Sequence, residues 1–217
     1  MSSKCSHEAR DRDEGLLRAG DVLWMTAGSG VVHNEDVEPL GKVRILQLWT
    51  TLPSGSRWAP PRFAHVPLEQ VPVRREPGIE AHVYSGTSGA VHAAAHTYLP
   101  LTLVDVRLEA SAVFEQDLPS SYNGFLYPID GEIVVDGPRR QRLATGQIGW
   151  LEFGGRSTTV RLTAGTHGSR VMLYAGERQN VPIVAHGPFV GETRADLARV
   201  SRAYAEGRMP RVSELRR

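Results

Sequence analysis

The sequence predicts an all-β fold, a sandwich or barrel of many short strands ending in a single helix. Three observations carry that expectation. Short apolar runs recur between residues 16 and 190, among them "VRILQLWTTLP", "LTLVDVRLEA", "GFLYPIDGEIVVDGP", "GQIGWLEFGG" and "SRVMLYAGE". The 22 glycines and 14 prolines that punctuate them supply the tight turns that short antiparallel strands need. Helical periodicity is confined to one late stretch, "TRADLARVSRAYAEG".

Composition sets the bounds. With 217 residues, 41% of them hydrophobic, the chain can fill a sizeable core. Its 25 basic residues, nearly all arginine, are balanced by 24 acidic ones, leaving a formal net charge of +1. No global field then favours direct nucleic-acid binding or a membrane surface. Cys5 is the single cysteine, which excludes an intrachain disulfide framework and a thiolate cluster.

Along the chain, "MSSKCSHEARDRDEG" has no apolar core of the kind a signal peptide needs, and no stretch approaches the roughly 18 apolar residues of a membrane span. A cytoplasmic protein is expected. Next comes "GDVLWMTAGSGVVHNED", in which glycines 28 and 30 allow a tight turn or bulge just before His33 and Glu35. On an extended strand those two side chains share a face, with Cα atoms roughly 6–7 Å apart. Imidazole plus carboxylate suits a borderline cation such as Fe(II), yet a site with open positions normally takes three or more protein ligands. A His–Glu hydrogen bond or ion pair is the commoner reading of a lone H-x-E.

The other histidines are less suggestive. His92 and His96 would share a strand face but lie roughly 13 Å apart, and His82 is farther along the chain, so no second metal site is expected. His186, in "AHGPFVGET", sits in a turn, where imidazole usually bonds backbone. No G-x-S-x-G elbow, Walker loop or H-E-x-x-H helix occurs.

Farther on, "YPIDGEIVVDG" reads as strand, turn and strand around Gly131, with Ile133, Val135, Trp150 and Leu151 in the core. An internal echo links "GDVLWM" at 20–25 with "GQIGWL" at 146–151 and suggests two copies of one β-unit. The second copy has residues 80–145 ahead of its echo and the first has far fewer, so about 45 residues of leading barrel are expected to be absent. The late helix has Asp196 at the capping-box position, a stripe of Leu197, Val200 and Tyr204, and Gly207 as its stop. Arg194, Arg199 and Arg202 fall on its solvated face, and the tail "RMPRVSELRR" reads as frayed.

Together, "GDVLWMTAGSGVVHNED", "LQLWTTLP", "YPIDGEIVVDG", "YAGE" and "VAHGPFVGET" resemble, in order and spacing, the pirin family of two-barrel cupin proteins. The resemblance runs from about residue 7 to 206. It implies two cupin-like β-barrels, the first one incomplete, and a C-terminal α-helix packing back on the first. The corresponding domains are 1–75, 76–190 and a helix and tail at 191–217.

It also implies an iron or similar divalent transition metal held by three His and one Glu, in which His33 and Glu35 match the third His and the Glu. The other two histidines belong to an upstream "H-P-H-R-G-F-E-T" strand that this sequence does not contain, so the site is expected to be partial. A start codon placed too late would account for that. The family's "D-S-x-G-N" region is replaced by "EARDRDE", and His7 matches a family histidine that is not a ligand.

Family members are associated with metal-dependent oxidation of flavonols such as quercetin and with partner binding, including transcriptional coregulation. By that resemblance Glu35 could act as base toward a flavonol hydroxyl. With half the site absent, weak or no dioxygenase activity is expected. The alternative is a non-enzymatic binding module, dimeric or partnered through an open first barrel.

Overall fold

The computed structural model describes residues 2–5, 15–34, 43–94, 97–137, 139–151 and 158–215. Among these residues there are fifteen strands and one α-helix. They are β1 (Ser2–Cys5), β2 (Gly15–Arg18), β3 (Val22–Thr26), β4 (Arg62–Val66), β5 (Val73–Glu76), β6 (Ile79–Ser88), β7 (Val91–Ala93) and β8 (Leu101–Leu108). Then follow β9 (Val113–Leu118), β10 (Tyr122–Val135), β11 (Gln141–Ala144), β12 (Gly149–Leu151), β13 (Thr158–Glu177), β14 (Val184–His186), β15 (Phe189–Gly191) and α1 (Arg194–Ala205). The chain forms two compact units: residues 1–70, 97–99 and 179–217 in the first, 71–96 and 100–178 in the second.

The second unit is one antiparallel ladder in the order β11-β10-β13-β8-β6-β5, with β12 added to β10, β7 to β6 and β9 to β13. Alternation decides its core. Ile79, Ala81 and Val83 of β6, Val104, Val106 and Leu108 of β8, and Phe114 and Leu118 of β9 face one interior with Leu126, Ile133, Leu162, Val171 and Leu173. Each of these side chains larger than alanine contributes about 1.5–3 kcal/mol by leaving water. The ladder can enclose that interior because β10 and β13 bend together. Register shifts at Pro128/Asp130 and Gly131/Ile133 let the front of β10 pair with 170–177 and its end pair with 162–164. Gly131 and Gly168 make this bend at φ +73° and +76°, and a Cβ on Gly131 would lie 2.4 Å from the Gly168 carbonyl oxygen.

The expected turn at Gly131 is therefore a bulge inside one continuous strand. Of the four side chains expected in the core, Ile133 is fully buried, Val135 and Leu151 are half-buried, and Trp150 is 73% exposed. The reason is register. Trp150 stands opposite Phe125, whose neighbour Leu126 takes the inward position, so the indole faces outward with Phe125.

In the first unit, β1 pairs with β2, β3 with β4 and β14 with β15, all antiparallel. The run at 43–53, expected as a strand, belongs to none, although its residues favour β structure. A strand needs a hydrogen-bonding neighbour, and among the described residues β3 has only β4. The helix begins as its sequence prescribes: the Thr193 hydroxyl accepts from Asp196 N at 3.1 Å while the Asp196 carboxylate accepts from Thr193 N at 2.8 Å. Val200 is buried, but Tyr204 is exposed and meets Phe189 edge-on at 6.0 Å. Arg199, expected in solvent, lies 3.9 Å above the Trp58 ring.

The echo between "GDVLWM" and "GQIGWL" corresponds to one turn made twice. Gly20 and Gly146 adopt φ +93° and +82°. Asp21 N donates to Arg18 O at 3.1 Å and Gln147 N to Ala144 O at 3.0 Å. The Asp21 carboxylate accepts from Arg18 N at 2.9 Å, and the Gln147 amide oxygen from Ala144 N at 2.8 Å.

Candidate functional site

His33 is reached through a turn whose two glycines are both required. Gly28 has φ +51° and Gly30 φ +121°, and Gly30 N donates to Ala27 O at 2.9 Å. A Cβ on Gly28 would stand 2.0 Å from Ala59 O, the same carbonyl that accepts from Ser29 N at 3.0 Å. Val32 then forms a parallel bridge with Arg211, and His33 follows it exposed to solvent. Residues 33 and 34 are in no strand, so the alternation expected for His33 and Glu35 is not set by a ladder there, and Glu35 lies outside the described residues.

The remaining histidines are dispersed. His65 Nε2 is 3.0 Å from Asp21 Oδ2, and Asp21 Oδ1 accepts from Leu68 N at 3.0 Å. Burial works to raise the Asp21 pKa, but the Arg18 and Leu68 amides and His65 outweigh it and hold the carboxyl below its usual value. His92 Nδ1 is 3.0 Å from the Thr87 hydroxyl, and His186 is exposed in β14. His7 and His96 lie outside the described residues.

His82 is buried, with Nε2 3.8 Å from Glu80 Oε1 and an Nδ1 that has no hydrogen-bond partner. It stands directly across the ladder from Asp105. Asp105 is committed elsewhere: Arg170 Nε donates to Oδ1 at 2.9 Å and Arg170 Nη2 to Oδ2 at 2.6 Å. Hydrogen bonding to Asp105 holds the Arg170 pKa above its usual value. Nearby, burial, with Asp105 and Tyr127, pushes the Tyr174 hydroxyl up to about 12. The sequence contains a signal for part of this cluster: a charge inside "LTLVDVRL" must find a partner when both strand faces are covered.

These donors do not add up to a metal site. Among the described residues, no group of three or more His, Cys, Asp or Glu is placed to hold an ion. The expected pair of His33 and Glu35 would supply two ligands, short of the three that an open transition-metal site takes. The described residues therefore do not fit the iron centre that the resemblance implies.

Mostly β structure, one terminal helix and a bent antiparallel ladder around a filled interior define a cupin-type protein. The family model for the pirin C-terminal cupin domain matches residues 103–210, and the pirin model matches residues 1–50. A pirin-like protein of Caulobacter vibrioides is 32% identical, the match covering 96% of this chain and 74% of that protein. A Pseudomonas aeruginosa protein provisionally named quercetin 2,3-dioxygenase is 31% identical over 95% of this chain and 74% of its own. Among solved structures, a Geobacillus kaustophilus protein superposes with a TM-score of 0.76 at 37% identity, covering 83% of this chain and 72% of that one. This chain belongs to the pirin family.

Proposed function

We propose that this chain is a pirin-family relative of the quercetin dioxygenases that oxidises flavonols weakly or not at all by itself. The observation behind this reading is the donor set around His33. One exposed imidazole follows the Gly28–Gly30 turn, Glu35 is its expected companion, and no third ligand group is assembled among the described residues. Two ligands leave a divalent transition metal weakly bound, because each missing donor removes a large share of the affinity. The test is metal analysis after purification without chelator, followed by oxygen uptake with quercetin. Substoichiometric iron and little turnover are expected; stoichiometric iron with robust turnover would overturn the reading.

A second reading is a binding module, favoured by the apolar run at 45–49. Ile45 is 57% exposed and Trp49 64%, and Leu46 and Leu48 are exposed beside them. Contiguous apolar surface of this kind marks contact sites in soluble proteins.

A further inference from the structure

The tail expected to be frayed lies, at residues 209–212, against the segment that carries His33. Val32 N donates to Pro210 O at 2.9 Å, and Val212 N donates to Val32 O at 3.1 Å. Met209 and Val212 are buried. The Met209 thioether fills the space where a side chain on Gly30 would stand: a Cβ there would lie 2.7 Å from Met209 Cε and 2.8 Å from Sδ. A 3-10 turn at Val212–Glu214 closes the tail, with the Glu214 carboxylate accepting from Arg211 N at 3.0 Å.

We propose that Met209–Val212 is a positioning strap for His33. The proposal rests on the reading above in one respect, that His33 is the residue around which the site would be built. Residues 28–32 are gripped from two sides, by the Ala59 carbonyl at Gly28 and Ser29 and by the strap at Gly30 and Val32. His33 is one peptide bond past the last of these contacts. A single bridge pair with one buried thioether is a small closure, of the kind that opens locally without unfolding a core. Strap release therefore removes the two backbone hydrogen bonds that hold Val32, the residue before His33, while the rest of the chain stays folded.

The experiment compares the full chain with Met209→Ala, Met209→Leu and a chain ending at Arg208, by amide exchange and by NMR of the His33 ring. Val32 amide exchange is expected to accelerate roughly tenfold or more in Met209→Ala and in the shortened chain. It should stay near the parent rate in Met209→Leu, which conserves volume. Val83 and Val104, buried in the second unit, should not change. The His33 ring resonance should shift in the first two variants only. Equal Val32 protection in every chain, acceleration shared by Val83 and Val104, or an unmoved His33 resonance would each overturn the proposal. Neither readout involves metal or flavonol, so failure of the strap and failure of the flavonol reading remain separate results.

Discussion

His82 is the residue whose environment makes the plainest demand on pH. Burial depresses its pKa, Arg107 and Arg75 push the same way, and Glu80 and Asp105 push against them without prevailing. The folded state thus prefers the neutral ring, and the unfolded state binds the proton more readily. Stability from this residue is fully present above about pH 6.5, the ordinary value, and is lost as pH falls below it through the depressed folded value. Urea midpoints measured from pH 7 down to 5 should fall, and His82→Gln should flatten that slope. A slope identical in both proteins would show that His82 does not carry it. At this scale the sequence is legible where chemistry is local and opaque where it is not. The Thr193–Asp196 cap lies within one turn and was expected, whereas Asp105 and Arg170 are 65 residues apart and nothing in the chain names their pairing.

Among the elements, strands with several alternations could be placed and very short ones could not. "LTLVDVRL" reads as a strand from its apolar and β-branched residues, and Val104, Val106 and Leu108 take alternate inward positions. β12 has three residues, and a slip of one sends Trp150 to the opposite side. The run at 43–53 has the residues of a strand, but a neighbour is a property of the fold rather than of the segment. Turns are the clearer case. Gly28 combines a positive φ with a carbonyl 2.0 Å from any added Cβ, and that neighbour is backbone, which cannot rotate away. Gly28→Ala should destabilise the first unit by about 2–4 kcal/mol, read as a lowered urea midpoint. A variant as stable as the parent would show that the loop at 53–59 yields instead. In the tail, Met209 and Val212 are buried against Gly30 and Val32, far away in sequence, so no local pattern announces their burial.

For the molecule as a whole, residues 44–50 are exposed without exception and include Ile45, Leu46, Leu48 and Trp49. A run of exposed apolar side chains meets its own copy in a second chain as a self-complementary partner under two-fold symmetry. Light scattering should show mass rising with protein concentration, and Ile45→Ser with Trp49→Ser should abolish the rise. A monomer at every concentration would end the idea. No described helix is long and apolar enough to cross a membrane.

The first unit also joins residues 1–70 to residues 179–217, with the second unit's sequence between them. During synthesis the intervening stretch emerges as a nearly continuous piece and can settle while translation continues. The loops at 28–30 and 57–58 are made before that stretch yet gain contacts only after it, because Glu192, Arg199 and Met209 supply contacts to Arg57, Trp58 and Gly30. Loss of residues 192–212 would therefore harm the loops at 28–30 and 57–58 more than the ladder at 71–178.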